Sequence, residues 1–135
     1  MGETLKVFAA GLVTFVAVDM VWIGVVANAF YKRELGTLAR KAGDNFDPRI
    51  APAALMYALV VLGLLVFVLP RVRVGAAWEA ALWGALFGII GYGVYDLTNY
   101  ATLHAFSLRM TVVDVIWGGV LCGLTASVMY LVRAA

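Results

Sequence analysis

The chain has 135 residues, of which 64% are hydrophobic and only 13% charged. A composition so far from that of soluble domains excludes a protein that stays monomeric in water, and the length leaves no room for a soluble domain beside its membrane segments. The net charge of +2 comes from cations scattered through the connections, not from a basic face interleaved with aromatics, so no nucleic-acid partner is expected.

A helix needs about 20 mainly apolar residues to cross a hydrocarbon core of roughly 30 Å. On that measure residues 1–135 are expected to form one all-α membrane domain. It is a four-transmembrane-helix bundle with short connections and one longer, amphipathic or merely solvated, loop between helices one and two.

The first crossing is expected over 5–30. Phe30 and Tyr31, followed by Lys32 and Arg33, mark its end as the aromatic and basic border of a membrane interface. Lys6 ahead of an apolar run is a signal-peptide feature. That run lacks a small-residue cleavage site and carries Asp19 and Trp22, so a retained helix is expected. From Lys32 to Pro52 the chain is polar, with Leu35 and Leu38 among the charges, and reads equally as a linker or as a helix lying on the surface.

The second crossing is expected over 53–69, flanked by Pro52 and Pro70 and free of ionisable residues. The third is expected over 76–103, where Gly84 and Gly88 have the spacing that lets another helix come close. The fourth is expected over 110–132 and is closed by Arg133. Cys122, the single cysteine, lies in mid-helix and is assigned to packing. Lys6, Arg71, Arg73 and Arg133 fall on one surface, and Lys32, Arg33, Arg40, Lys41, Arg49 and Arg109 on the other, so the charge rule leaves orientation nearly balanced.

Three acids, Asp19, Asp96 and Asp114, fall inside crossings. Each costs at least about 2.5 kcal/mol on insertion scales, so such acids face the bundle interior and mark candidate sites. Helices one and three run in the same direction, which puts Asp96 and Asp114 at similar depth and Asp19 deeper. Residues three, four and seven apart share a helix face. Asp19 then aligns with Phe15 and Trp22, Asp96 with Tyr92 and Asn99, and Asp114 with Thr111 and Trp117. The expected ligand-binding set is Asp19, Trp22, Tyr92, Asp96, Asn99, Asp114 and Trp117. No metal or cofactor is expected, since His104 is the one histidine. The competing structural role is interhelical hydrogen bonding, worth about 0.6 kcal/mol per contact. Three acids with no intramembrane cation favour a pocket over that role.

Val18-Asp19-x-x-Trp22-x-Gly24-Val25 is echoed by Val113-Asp114-x-x-Trp117-x-Gly119-Val120 on a helix of opposite direction. Such an echo suits an inverted repeat, although the unequal depths of the two acids argue against full symmetry.

The run Tyr95-Asp96-Leu97-Thr98-Asn99-Tyr100-Ala101-Thr102-Leu103, followed by Thr111-x-Val113-Asp114-x-x-Trp117-Gly118, resembles a family of small bacterial membrane proteins. It is the family called domain of unknown function 2177. Asp19, Trp22, Gly24, Phe30, Tyr31 and Leu35-Gly36 fit its first-helix pattern, so the resemblance covers essentially the whole chain. It implies a multi-pass inner-membrane protein of four helices and implies no activity.

From the residues themselves, the expected function is binding of a small lipophilic or lipid-like ligand at the acidic and aromatic pocket. One alternative is a small proton-coupled exporter working as a homodimer, since four-helix multidrug transporters also place an acid in helix one beside aromatics; their characteristic motifs are missing here. Another is an accessory subunit whose helix-three glycines dock on a larger membrane complex. Membrane lipids, a lipophilic ligand and a homo-oligomeric or complex partner are the corresponding partners.

Overall fold

A computed structural model describes Met1–Ala135, and four of its helices are long and apolar enough to cross a membrane. Helix α1, Gly2–Val21, runs on through a widened π-helical turn, Trp22–Val26, and breaks at Ala27, where φ is −108° and ψ 9°. A second, short helix α2, Asn28–Leu35, starts immediately. The first crossing therefore ends before Phe30, not at it. Widening a turn frees carbonyls from the helical ladder, and the Asn28 side chain takes up one of them, donating to the Ile23 carbonyl at 3.1 Å.

Of the two readings of the stretch after Lys32, linker or helix, its first residues are helical, but as part of α2, which already starts at Asn28. Beyond it, Gly36 takes φ +50° and leads into a 3₁₀ turn, Gly36–Leu38. Strand β1, Lys41–Ala42, then pairs antiparallel with β2, Asn45–Phe46, around Gly43 at φ +61°. Positive φ at these two bends is open to glycine without steric cost.

Helix α3, Ile50–Gly63, begins earlier than expected and holds Pro52 in its first turn, where the missing N–H would have no helical partner anyway. It continues through a π-helical turn, Leu64–Val68, and a 3₁₀ turn, Leu69–Arg71, that contains Pro70. Helices α4, Ala77–Thr102, and α5, Leu108–Ala134, lie close to the expected limits. Ser107 caps α5 by accepting the Met110 N–H at 3.0 Å.

Helix α5 is the central element, packed against α4, α1 and the π-helical turn Leu64–Val68 that continues α3. Within its most apolar window 44% of residues are buried, against 17–28% in the other three spans. The main core joins Phe15, Val61, Leu64, Leu121, Cys122 and Met129, while Leu, Val and Ile side chains cover the outer faces, as a bilayer-embedded surface requires. Gly84 and Gly88 do not face outward. A Cβ on Gly84 would meet the Cys122 carbonyl and Ala126, and one on Gly88 would meet the Gly118 backbone. Gly118, Gly119 and Gly123 of α5 answer against Tyr92, Ile89 and Ala81 of α4. The Gly84 and Gly88 spacing is thus used inside the chain, while Gly91 and Gly93 have nothing within 4 Å of a Cβ position.

Candidate functional site

The three intramembrane aspartates gather toward the end of the bundle where α1 gives way to α2. Asp19 is only 3% exposed and accepts two hydrogen bonds from two different helices. The Tyr57 hydroxyl of α3 donates to Oδ2 at 2.8 Å, and the Trp117 indole N–H of α5 donates to Oδ1 at 2.9 Å. Phe15, fully buried one turn earlier, holds the Tyr57 ring at 5.5 Å between centroids. One carboxyl therefore fastens three helices together.

The echo between α1 and α5 becomes a physical pair. Trp22 and Trp117 stack with centroids 4.2 Å apart and planes within 10° of parallel. Under a strict twofold, Trp117 would bond Asp19 and Trp22 would bond Asp114. Only the first bond forms. The Trp22 indole N–H instead donates to the Tyr31 hydroxyl at 3.2 Å, and Tyr31 donates to Asp114 Oδ1 at 2.5 Å. The break at Ala27 turns α2 back and inserts Tyr31 between the partners, so the symmetry is local and interrupted. Burial, then the neighbouring Asp114, pushes the Tyr31 hydroxyl well above its ordinary range, which keeps it a donor.

Asp96 lies beside Asp114, as the shared depth of the two helix ends predicted. It is completely buried, and neither carboxyl oxygen receives a hydrogen bond from a fixed donor; its polar neighbour is the Asp114 carboxyl, with which it can share a proton. Only one other buried side-chain atom, the Thr125 hydroxyl oxygen, lacks a fixed partner. Tyr92 is half-buried with its ring over Gly118, close to both Asp19 and Asp114. Asn99 is less engaged: it is half-buried and contributes its backbone carbonyl to the end of α4, at 2.8 Å from the Leu103 N–H. The seven expected residues therefore divide. Asp19, Trp22, Asp114 and Trp117 form one hydrogen-bonded and stacked network, Asp96 and Tyr92 adjoin it, and Asn99 stands at its edge.

Two members escaped the sequence reading. The sequence marks Tyr31 only as part of the membrane border, and Tyr57 stands out in it only as the one hydrogen-bonding side chain in the apolar stretch 53–69. In a membrane helix a lone hydroxyl amid aliphatic residues is a usable signal, because it must find a partner away from water.

Helix α2 closes the site from the surface. Tyr31, Ala27, Phe106 and Met110 form a second small core with Trp22 and Ile23 packed on it. Outside that core Ser107 donates to Glu34 at 2.7 Å, and Arg33 and Arg109 lie beside the same carboxylate at 3.4 and 3.8 Å. The Ser107 hydroxyl, then the Arg33 hydrogen bond, hold the Glu34 carboxyl below its ordinary 4.5. A carboxyl depressed by folding stabilises the folded form above its unfolded value, and that contribution is lost as pH falls through the folded one. Hydrogen exchange of the α2 amides is accordingly expected to quicken as pH falls through the lowered Glu34 range, and Ser107→Ala to move this onset upward. An onset identical in Ser107→Ala would show that Glu34 does not hold α2.

A family model described as "Predicted membrane protein (DUF2177)" matches residues 4–131. No curated protein and no solved structure matches the chain.

Proposed function

We propose that this chain, which belongs to the DUF2177 family of predicted membrane proteins, binds a small lipophilic ligand whose polar end meets Asp96 and Asp114 beneath α2. The observation that carries the reading is the Asp96 carboxyl, buried with both oxygens unpartnered. A buried acceptor left without a donor costs about 1–3 kcal/mol, and more when charged. Such a group in a membrane helix marks a functional site by default. Asp19, by contrast, is fully satisfied and works as a structural anchor.

An apolar groove beside the stacked tryptophans, lined by Ala17, Val18, Val21 and Val26, offers hydrocarbon a place along the same end of the bundle. The ligand would enter from the bilayer, and its polar end would displace Tyr31 from Asp114. As an exporter the protein would need a coupling acid in the first helix. Asp19 would have to release Tyr57 and Trp117 in every cycle, so that reading has less support. An inner membrane suits the chain, since its spans are apolar helices and bacterial outer-membrane proteins span as β-barrels.

The test is native mass spectrometry of protein taken from its own membrane in lipid nanodiscs. A defined species at one per chain, lost from Asp96→Asn while helical content stays the same, is the expected result. Bulk lipid alone on both proteins would overturn the reading.

A further inference from the structure

We infer that the polar end of this ligand is a protonated amine, so that Asp96 and Asp114 together form a site for a lipophilic primary or secondary ammonium. The inference rests on the ligand-binding reading above and names its chemical class.

It follows from counting donors and charges. Asp19 receives two neutral donors, Asp114 receives one from Tyr31, and Asp96 receives none. Every ion pair in the molecule uses a glutamate: Lys6 with Glu3, Arg33 and Arg109 with Glu34, and Arg73 with Glu79. No aspartate has a cationic partner. The lysines and arginines all lie in the connections or at the ends of the spans. Two adjoining carboxyls are thus enclosed with no cation beside them and, apart from Tyr31 and any proton they share, no donor.

Where α3 offers Asp19 the Tyr57 hydroxyl, α4 offers Asp114 a second carboxyl, Asp96, which donates only while it carries a proton. Two ionised carboxyls only accept, so the pair can satisfy itself only by sharing one proton; an ammonium would take that proton's place and bring further donors.

Ligand classes then separate by what they bring. A fatty acid or phosphate adds negative charge and is repelled. An alcohol brings one donor and no charge. A quaternary ammonium brings charge but no N–H. A protonated primary or secondary amine brings two or three N–H donors and one positive charge, and hydrogen bonds from a charged donor to a carboxylate are roughly twice as strong as neutral ones. Its hydrocarbon part is suited to the groove beside Trp22 and Trp117.

The experiment uses the whole chain in nanodiscs of zwitterionic lipid at neutral pH, titrated separately with dodecylamine, dodecanol, dodecanoate and dodecyltrimethylammonium. Tryptophan fluorescence is read, and empty nanodiscs are subtracted. Dodecylamine is expected to saturate at one per chain and to bind about tenfold or more tighter than each of the others, a gap of about 1.4 kcal/mol. Asp96→Asn and Asp114→Asn are each expected to erase that preference without changing the circular dichroism spectrum. Dodecanol binding as tightly as the amine, or an amine preference unchanged in both variants, would overturn the ammonium assignment and leave the ligand-binding reading standing. If none of the four saturates, as expected of carboxyls that hold only a shared proton, the assignment also falls. The species co-purified from the native membrane then decides the broader reading separately.

Discussion

Gly88→Leu is expected to take apart the α4–α5 pair, with a loss of about 3 kcal/mol or more in a reversible unfolding titration in micelles. A Cβ at this position would press on the carbonyl carbon and oxygen of Gly118 and lie 2.8 Å from the Cβ of Cys122. Two of those three atoms are backbone of a fully helical segment, so no rotamer change relieves the overlap. The helices must separate. That would also withdraw Leu121 and Cys122 from the core and carry Asp114 away from Asp96. Gly91 is the internal control: it lies on the same helix, and nothing is within 4 Å of the position its Cβ would take. Gly91→Leu is expected to stay within about 0.5 kcal/mol of the wild type, because it adds apolar surface to a lipid-facing position. If Gly88→Leu unfolds at the same denaturant concentration as Gly91→Leu, the close approach of α4 and α5 is refuted.

Asp19→Ala is expected to lower bundle stability by roughly 1–3 kcal/mol while making the first helix easier to insert. The two effects have opposite signs because they belong to different steps. Insertion bears the cost of bringing an acid into hydrocarbon, whether or not the bundle has assembled. Assembly then uses that acid to accept from Tyr57 at 2.8 Å and from Trp117 at 2.9 Å. With alanine in its place, a hydroxyl and an indole N–H remain among apolar neighbours, where no water reaches them. Trp117 also loses the bond that orients its ring against Trp22, so the stacked pair, 4.2 Å apart in the native bundle, should loosen and its fluorescence should shift. Unfolding in bicelles measures the first effect, and the inserted fraction during membrane integration measures the second. A variant as stable as wild type, with unchanged fluorescence, would mean that Asp19 does not anchor the three helices. Asp19→Asn is expected to fall between the two, because the amide keeps one acceptor oxygen and turns the other position into a donor.

Both expectations separate roles that the sequence alone presents as one. Asp19, Asp96 and Asp114 share residue type, apolar surroundings and an aromatic neighbour at helical spacing. Their partners differ. The donors that distinguish them, Tyr57 and Tyr31, lie 38 and 83 positions away from the acids they bond, and nothing in local periodicity reports contacts of that range. The glycines of α4 show the same limit: their spacing announces a close helix contact, but whether the visiting helix belongs to the same chain depends on where α5 returns.

The amino-acid sequence by itself determined the number of spans and their order, because membrane crossing is decided by the length and hydropathy of each segment separately. It also determined which acids stand where only an interhelical partner can satisfy them, since an acid amid aliphatic residues is conspicuous without coordinates. The tertiary structure alone decided where the first crossing breaks, and hence that Tyr31 turns back into the site. It decided that α5 is central and that Gly84 and Gly88 of α4 are used inside the chain. It also decided which acids are satisfied: Asp19 by two donors, Asp114 by one and Asp96 by none. The physical reason is that burial in a bilayer is a property of one helix, whereas satisfying a buried polar group takes two side chains whose meeting depends on how the helices pack.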